Sequence, residues 1–206
     1  MITALLSRAA FMYNSLRFSL IPKDMEKCSM NIVVYLGSAF GNDPVYREKI
    51  HELGTWIGRN GHDLVYGGSK IGLMGILADA VLESGGRVTG VEPCFFIDQC
   101  RQHEGIDELI VTKDMFERRK TMYDMGDAFI AFPGGLGTLE EISDIMSAVQ
   151  LKQTDKPYVI YNLNGYYDHF IALLDHMTAE GFLFPETRRN IRFAGDLEEI
   201  GEAIGV

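Results

Sequence analysis

The chain has 206 residues, of which 47% are hydrophobic, so it is long enough for one domain with a full core and short for two. Its formal net charge of −10 argues against binding a nucleic-acid backbone or an anionic membrane through bulk charge. A small phosphorylated ligand is compatible with this charge, because it needs only a local cluster of donors.

The N-terminal 29 residues differ in composition from the rest of the chain. Their first 23 residues include no acidic side chain and carry Arg8, Arg17 and Lys23, which resembles an organelle transit peptide. A simpler interpretation is an upstream start codon, with Met30 opening the folded domain. We therefore predict a poorly ordered extension at residues 1–29, without a role in the chemistry, and a single domain at residues 30–206.

From residue 31 onwards, short apolar runs alternate with longer segments of helical periodicity. The first run, residues 31–37, is typical of a buried parallel strand. The next segment has its apolar positions on one helical face, between Pro44 as a start and Gly61 as a stop. The alternation continues to the end of the chain, with further strands predicted at 63–68, 87–93, 108–112, 127–132 and 157–162, and helices at 71–86, 114–126, 138–151, 166–181 and 196–204.

This alternation predicts an α/β fold: a Rossmann-like, doubly wound parallel sheet with helices on both faces, in a single domain. Parallel strands need long crossovers, and here helices supply them. In such a sheet, ligands bind outside the carboxyl ends of the strands. That rule selects three glycine-containing turns, at residues 37–42, 66–75 and 133–138.

Each of these turns follows a predicted strand and opens onto a helix. The free N–H groups of a helix's first turn, together with the helix dipole, attract an anion, and glycine lets the backbone approach it closely. The turn at 133–138 lacks the lysine of a P-loop, and the turn at 37–42 does not match G-x-G-x-x-G, so NAD is disfavoured. The pattern predicts a phosphate site.

Cysteine usage and hydropathy indicate the compartment. Cys28, Cys94 and Cys100 are odd in number and form no C-x-x-C pair, which disfavours a disulfide framework or a zinc site and favours a reducing compartment. No apolar run reaches the roughly 18 residues that a membrane span needs. We expect a cytoplasmic protein with no metal and no membrane or nucleic-acid partner.

Two charged groups near the third turn each allow a structural and a functional interpretation. Thr138 followed by Glu141 fits a capping box, in which the glutamate only caps the helix, whereas Glu140 is expected to face solvent. Arg118 and Arg119 belong to a basic run that is usually a solvated face with local ion pairs. An arginine there could instead reach a phosphate bidentately at the carboxyl edge of the sheet.

The segment DMFERRKTM followed by PGGLGTLEE resembles the LOG family, the cytokinin-activating phosphoribohydrolases, whose members are often labelled "lysine decarboxylase-like". The family signature is an Arg-Lys step on a helix and then P-G-G-x-G-T-x-x-E, which Pro133 to Glu141 match completely. The resemblance extends from about Met30 to the end of the chain. In one departure, Arg119 stands where the family has lysine, which keeps the charge and changes the donor geometry.

By this resemblance, the reaction is hydrolysis of the N-glycosidic bond of adenosine 5′-monophosphate, or of an N6-modified form, to the free base and ribose 5-phosphate. It implies no cofactor and a homodimer with sites near the interface. Glu141 would stabilise positive charge on the sugar and orient or deprotonate water, and Arg118 would fix the substrate or assist the leaving base. The other implied nucleotide contacts are Gly134, Gly135, Gly137 and Thr138 at the 5′-phosphate, Gly67 and Gly68 beside the nucleotide, Met115 at the base, and Ser38 and Arg119.

Other functions stay open at this point. The protein could be a nucleotide- or cofactor-binding carrier without catalysis, a general AMP nucleosidase of nucleotide salvage, or an enzyme for another phosphorylated ribose in which Glu141 is only a cap. Lysine decarboxylation has no support, because pyridoxal phosphate chemistry needs a suitably placed lysine. Lys70 lies in a glycine loop and Lys120 in a charge run.

Overall fold

The computed structural model describes residues 29–97 and 99–206. Within these ranges it has seven strands, eight α-helices and one 3₁₀ turn. The strands are β1 Asn31–Tyr35, β2 Asp63–Tyr66, β3 Val88–Pro93, β4 Glu108–Thr112, β5 Ala128–Ala131, β6 Tyr158–Tyr161 and β7 Phe193–Ala194. The helices are α1 Val45–Arg59, α2 Leu73–Glu83, α3 Cys94–Ile97, α4 Met115–Met125, α5 Leu136–Gln150, α6 Asp168–Ala179, α7 Pro185–Asn190 and α8 Leu197–Ile204, with the 3₁₀ turn at Leu163–Gly165.

All seven strands pair in parallel in one sheet, in the order β4-β3-β2-β1-β5-β6-β7. This confirms the doubly wound α/β prediction. The strand order reverses direction between β1 and β5, and such a switch point opens a crevice at the carboxyl ends of the strands. The turns after β1 and β5 meet there, where the N–H of Gly37 donates to the carbonyl of Pro133 at 3.2 Å.

The core consists of two apolar layers, one on each face of the sheet. Successive residues of β1 point to opposite faces, so Ile32 and Val34 belong to one layer while Val33 and Tyr35 belong to the other. The first layer includes buried residues of α1, α2 and α8, and the second includes buried residues of α4, α5 and α6. A sheet covered on both faces explains why the strands read as continuous apolar runs.

Some predicted details differ from the structure. The helix expected from Thr138 begins two residues earlier, at Leu136. The predicted loop at 94–107 includes the short helix α3, and α7 and β7 had no clear apolar period to reveal them. Cys94 and Cys100 carry free, exposed thiols.

Two further expectations meet the limits of the described chain. Residues 1–28 of the predicted extension, with Cys28, lie outside the described residues. Across residues 29–97 and 99–206, none of the helices combines the length and the hydropathy required to cross a bilayer.

The start of α4 is fixed by a reciprocal side-chain cap. The carboxylate of Asp114 accepts a hydrogen bond from the N–H of Glu117 at 2.8 Å, and the Glu117 carboxylate accepts one from the N–H of Lys113, also at 2.8 Å. These bonds satisfy donors that have no partner within the helix. The cap therefore sets where α4 begins and which of its side chains face the sheet.

We expect Asp114→Ala to lower the free energy of unfolding by about 1 kcal/mol, because the first turn of α4 loses its N-cap acceptor. Urea unfolding followed by circular dichroism measures this change. Lys120→Ala on the same helix is the control: its exposed ion pair with Asp124 contributes little, roughly 0.5 kcal/mol or less. Equal effects of the two substitutions would contradict the assigned cap.

Candidate active site

A cavity of about 330 Å³ opens at the carboxyl edge of the sheet. Its walls come from the residues that follow β1, β2, β3 and β5 and from the first turns of α4 and α5. The structure brings most of the predicted site residues together here: Ser38, Gly67, Met115, Arg118, Gly135, Gly137, Thr138 and Glu141. Residues separated by about 100 positions in the sequence thus share one cavity, as the switch-point rule predicts.

The centre of the cavity is a buried ion pair between Arg118 of α4 and Glu141 of α5. Nη1 of Arg118 donates to Oε1 of Glu141 at 2.7 Å, and each side chain is only 8% exposed. Nε of Arg118 donates to the backbone carbonyl of Val91 on β3 at 2.9 Å. Two fixed hydrogen bonds therefore hold the guanidinium, and it in turn orients the carboxylate.

Gly67, which follows β2, makes room for this guanidinium. A side chain at that position would place its Cβ against Nη2 of Arg118 and also near the Met74 side chain. The ion pair therefore requires a residue without a side chain at position 67. The sequence pattern showed only that Gly67 belongs to a glycine turn and did not indicate this steric role.

Burial raises the pKa of the Glu141 carboxyl, and the adjacent Arg118 opposes that effect. A carboxylate removed from water is weakly screened by solvent, so it attracts a positive charge that develops beside it more strongly than an exposed carboxylate does. Arg118 keeps the ionised form accessible. The arrangement suits stabilisation of a positively charged transition state.

The capping-box interpretation of Glu141 is wrong. The residue that precedes α5 is Gly135, no side chain caps this helix, and Thr138 lies inside its first turn. Glu141 lies further along, in the second turn, where its side chain reaches Arg118 rather than the backbone. Glu140, by contrast, is half-exposed, as expected.

The first turn of α5 presents free backbone donors to the cavity. The N–H of Leu139 donates to the carbonyl of Gly135 at 3.1 Å, so the N–H groups of the three preceding residues have no acceptor within the helix. Gly135 and Gly137 have open space where a Cβ would stand. With the positive end of the helix dipole, this turn has the features of an anion site.

Close packing and two tyrosine hydrogen bonds hold this turn in place. Gly134 lies so close to Thr138 that a Cβ on it would overlap the buried threonine hydroxyl. The hydroxyl of Tyr166 donates to the Gly134 carbonyl at 2.6 Å, and that of Tyr167 donates to the Phe132 carbonyl at 2.9 Å. Gly134 is thus part of the support of the cavity rather than its lining.

Besides Gly134, Arg119 and Gly68 lie off the cavity. Arg119 points along the outer surface of α5, where its Nη1 is 2.9 Å from Oε1 of Glu140 and its Nε is 3.1 Å from Oδ2 of Asp144. It lines a neighbouring cavity of about 440 Å³, which also reaches Glu141. Gly68 has a positive φ of 83° and packs its backbone against Glu92 instead of lining the main cavity.

The sequence analysis missed Glu92, at the end of β3. This residue lines the cavity and is 1% exposed, and its Oε2 is buried without a hydrogen-bond partner among the described residues. Burial raises the pKa of its carboxyl, while Arg118 and then Arg101 oppose that effect. An acidic residue at the carboxyl end of an otherwise apolar strand was the signal that could have identified it.

A switch-point cavity with free N–H donors at a helix turn and a buried Arg–Glu pair defines a class: a Rossmann-like protein with a candidate anion site at its switch point. Comparison with known proteins gives the family. Residues 74–204, more than half of the chain, match the family model described as "Possible lysine decarboxylase". The chain belongs to the LOG family, since it is 38–40% identical to cytokinin riboside 5′-monophosphate phosphoribohydrolases, two of them named LOG proteins, over 70–85% of their length.

These relatives are similar over most of their length. A cytokinin riboside 5′-monophosphate phosphoribohydrolase of Rhodococcoides fascians is 40% identical over 169 residues, which are 82% of this chain and 85% of that protein. One of the same name from Arabidopsis thaliana is 38% identical over 177 residues, 86% of this chain and 83% of that protein.

Solved structures share the fold at lower identity. The molybdenum cofactor binding protein of Rippkaea orientalis has a TM-score of 0.65 at 21% identity, over 86% of this chain and 97% of that one. The Moco carrier protein of Chlamydomonas reinhardtii has a TM-score of 0.62 at 22% identity, over 86% of this chain and 96% of that one. At this identity the likeness establishes the fold alone.

The raised pKa of Glu92 predicts a pH-dependent stability. The folded protein holds this proton more tightly than the unfolded chain, so the stabilisation from the neutral carboxyl is complete below the ordinary glutamate pKa and is lost as the pH rises through the raised pKa. Gln cannot ionise. We therefore expect Glu92→Gln to have a higher Tm than the wild type at pH 8, with the difference shrinking towards pH 4.

Thermal unfolding between pH 4 and pH 8 measures this difference in Tm. Glu141 is present in both proteins, so its own contribution to the pH dependence cancels in the comparison. Glu104→Gln, the same substitution at an exposed position, is the matched control and should leave Tm unchanged at every pH. A Tm of Glu92→Gln below that of the wild type throughout this range would show that the carboxylate stabilises the fold.

Proposed function

We propose that this protein hydrolyses the N-glycosidic bond of adenosine 5′-monophosphate, or of its N6-modified forms, and releases the free base and ribose 5-phosphate. The observation that carries the proposal is the buried ion pair of Arg118 and Glu141 beside an anion-binding helix turn in one cavity. The relatives named as cytokinin riboside 5′-monophosphate phosphoribohydrolases support it.

In the proposed complex, each part of the substrate has a counterpart in the cavity. The 5′-phosphate accepts hydrogen bonds from the free N–H groups at the start of α5, in the turn that includes Gly135 and Gly137. The ribose then lies over the Arg118–Glu141 pair, and the base extends towards Met115 and the end of β3. The order phosphate, ribose, base thus follows the carboxyl edge of the sheet.

The chemistry requires a carboxylate next to the sugar. Cleavage of a nucleobase from ribose builds positive charge on the ring, and an adjacent buried carboxylate stabilises that charge more strongly than water would. Glu141 supplies this carboxylate and orients or deprotonates the attacking water. Arg118 holds Glu141 in place and contacts the substrate; as a guanidinium it stays charged throughout.

A non-catalytic carrier is the alternative that the fold alone permits. Carrier proteins share this fold at low identity, and a phosphate-binding turn would serve a carrier equally well. A buried carboxylate held by arginine, however, is not needed to bind a phosphorylated ligand, and burying it is costly to the fold. Catalysis explains its presence better.

A product assay tests the proposal. Purified protein is incubated with AMP and with isopentenyl-AMP, without added cofactor, and free base and ribose 5-phosphate are quantified. We expect release of base, and a fall in kcat of about 10²-fold or more for Glu141→Gln, because the amide cannot stabilise the sugar cation or accept a proton. The ratio between the two substrates separates hormone activation from general AMP salvage.

Glu140→Gln is the matched control, since this neighbouring glutamate is half-exposed and lies outside the main cavity. We expect its kcat to stay within about twofold of the wild type. Tight nucleotide binding without base release from either substrate would instead favour the carrier.

We further propose that the protein is a cytoplasmic homodimer whose interface adjoins the site. Large apolar side chains are exposed on both helices that border the cavity: Phe116 of α4 is 70% exposed and Leu136 of α5 is 86% exposed. Side chains of this size at a functional edge are typical of an interface. The neighbouring cavity that Arg119 lines lies on the same side.

Sedimentation velocity should give twice the chain mass of 23.1 kDa. Phe116→Glu should shift the distribution to the monomer, because a charge in an apolar interface loses its solvation. A wild-type monomer at every concentration up to about 100 μM, far above a typical dimer Kd, would contradict the proposal.

A further inference from the structure

Glu92 is a buried acid that the roles proposed above leave unused. It is the penultimate residue of β3, lines the cavity and is 1% exposed. Its Oε2 lies against the backbone of Gly68: a Cβ on that glycine would be 3.5 Å away. Within the described residues this oxygen has no hydrogen-bond partner, and no ion pair includes the side chain. A buried polar atom without a partner is rare in folded proteins and calls for a ligand that completes it.

Burial favours the neutral form of Glu92, whereas the two nearby arginines favour its ionised form. Arg118 faces it from α4, Arg101 from the loop after α3, and the buried Tyr66 hydroxyl from β2. Neither arginine forms an ion pair with it, and Arg118 already donates to Glu141 and to the Val91 carbonyl. Desolvation is the largest influence and raises the pKa of the Glu92 carboxyl, so Glu92 keeps its proton to a higher pH than an exposed glutamate does.

Glu92 and Glu141 both have a pKa raised by burial, and they differ in their hydrogen-bond partners. Both are buried in one cavity, but only Glu141 receives a guanidinium hydrogen bond, at 2.7 Å. That bond stabilises the ionised form of Glu141, whereas Glu92 has no such donor. Two carboxyl groups whose surroundings separate their protonation states can serve as proton donor and as charge stabiliser.

The position of Glu92 in the sheet is near the expected position of the nucleobase. The phosphate turn follows β5, next to β1, and β3 lies two strands beyond β1 in the other direction. With about 4.8 Å between neighbouring strands, the end of β3 is about 10 Å from the end of β1. A nucleotide with its phosphate on α5 and its ribose over Arg118 and Glu141 extends its base towards Met115, Phe96 and Glu92.

We propose that Glu92 is a catalytic residue that donates its proton to a ring nitrogen of the departing purine. This rests on the proposed function. As the bond between C1′ and the base nitrogen breaks, its electron pair goes to the base, and the Glu92 proton neutralises the base. Water attacks C1′ and gives a proton to Glu141; Glu141 then releases this proton to solvent, and Glu92 takes one up from solvent. The sum is nucleotide and water to base and ribose 5-phosphate.

Arg118 cannot fill this role, since a guanidinium does not release its proton in proteins. An unprotonated purine anion is a poor leaving group, so a positioned acid at the base contributes about 10²–10⁴-fold to the rate. The acid has to be protonated, so activity through Glu92 is present below its pKa and lost above it.

The test compares wild type, Glu92→Gln and Glu92→Asp with AMP between pH 5 and pH 9. We expect Glu92→Gln to lower kcat by about 10²-fold, to leave KM within about threefold, and to abolish the alkaline fall in kcat, because the amide cannot transfer a proton. Glu92→Asp, which keeps the acid, should recover part of kcat and the alkaline fall.

Nicotinamide mononucleotide provides a second readout, because its base leaves as a neutral molecule without protonation. The loss in kcat/KM caused by Glu92→Gln should be at least about tenfold smaller for this substrate than for AMP. The reason is that a general acid contributes about 10²–10⁴-fold only where the leaving base needs a proton. If wild type does not hydrolyse it, the AMP pH profile decides alone.

Three results would overturn the inference. Glu92→Gln could keep the wild-type kcat and its fall at alkaline pH. It could raise KM alone, or it could lower kcat/KM equally for AMP and for nicotinamide mononucleotide. Each of these leaves the proposed function intact, provided that the wild type releases base. Absence of base release from wild type would instead refute the proposed function, and the role of Glu92 with it. A Tm of Glu92→Gln at or above the wild-type value shows that the variant is folded.

Discussion

The site depends on one buried ion pair, Arg118 with Glu141. Removing two charges from water is costly, and the cost is recovered only when the geometry is close and the remaining donors are satisfied. Here the guanidinium has both a carboxylate at 2.7 Å and a backbone carbonyl at 2.9 Å. The pair in turn requires that the residue after β2 has no side chain, which Gly67 provides. Strands β2 and β3 and helices α4 and α5 must all be in place before these partners can meet.

Function and stability oppose each other in this cavity. Glu92 and Glu141 both have raised pKa values because both are removed from water, and neither would be selected for folding alone. The apolar layers on the two faces of the sheet supply the stability that tolerates them. Buried carboxyl groups and a stable fold can coexist because the cavity lies at the C-terminal edge of the strands, while the centre of the sheet is fully packed.

The fold does not by itself distinguish an enzyme from a carrier. A molybdenum cofactor binding protein and a Moco carrier protein superpose on this chain with TM-scores of 0.65 and 0.62, yet their identities to it are only 21% and 22%. What differs between such proteins is the set of side chains at the carboxyl edge, since strand order and helix layers only bring that edge together. Function therefore has to be argued from Arg118, Glu141 and their neighbours.

The sequence by itself determined the α/β class and the glycine turns, because strand and helix periods and turn residues are local properties. It also indicated Arg118 and Glu141, through the family motif. Only the tertiary structure decided that Glu141 pairs with arginine instead of capping α5, that Arg119 turns away from the cavity, and that Glu92 enters it. These outcomes depend on which side chains from distant segments meet, and on burial at the meeting point, neither of which a local pattern contains.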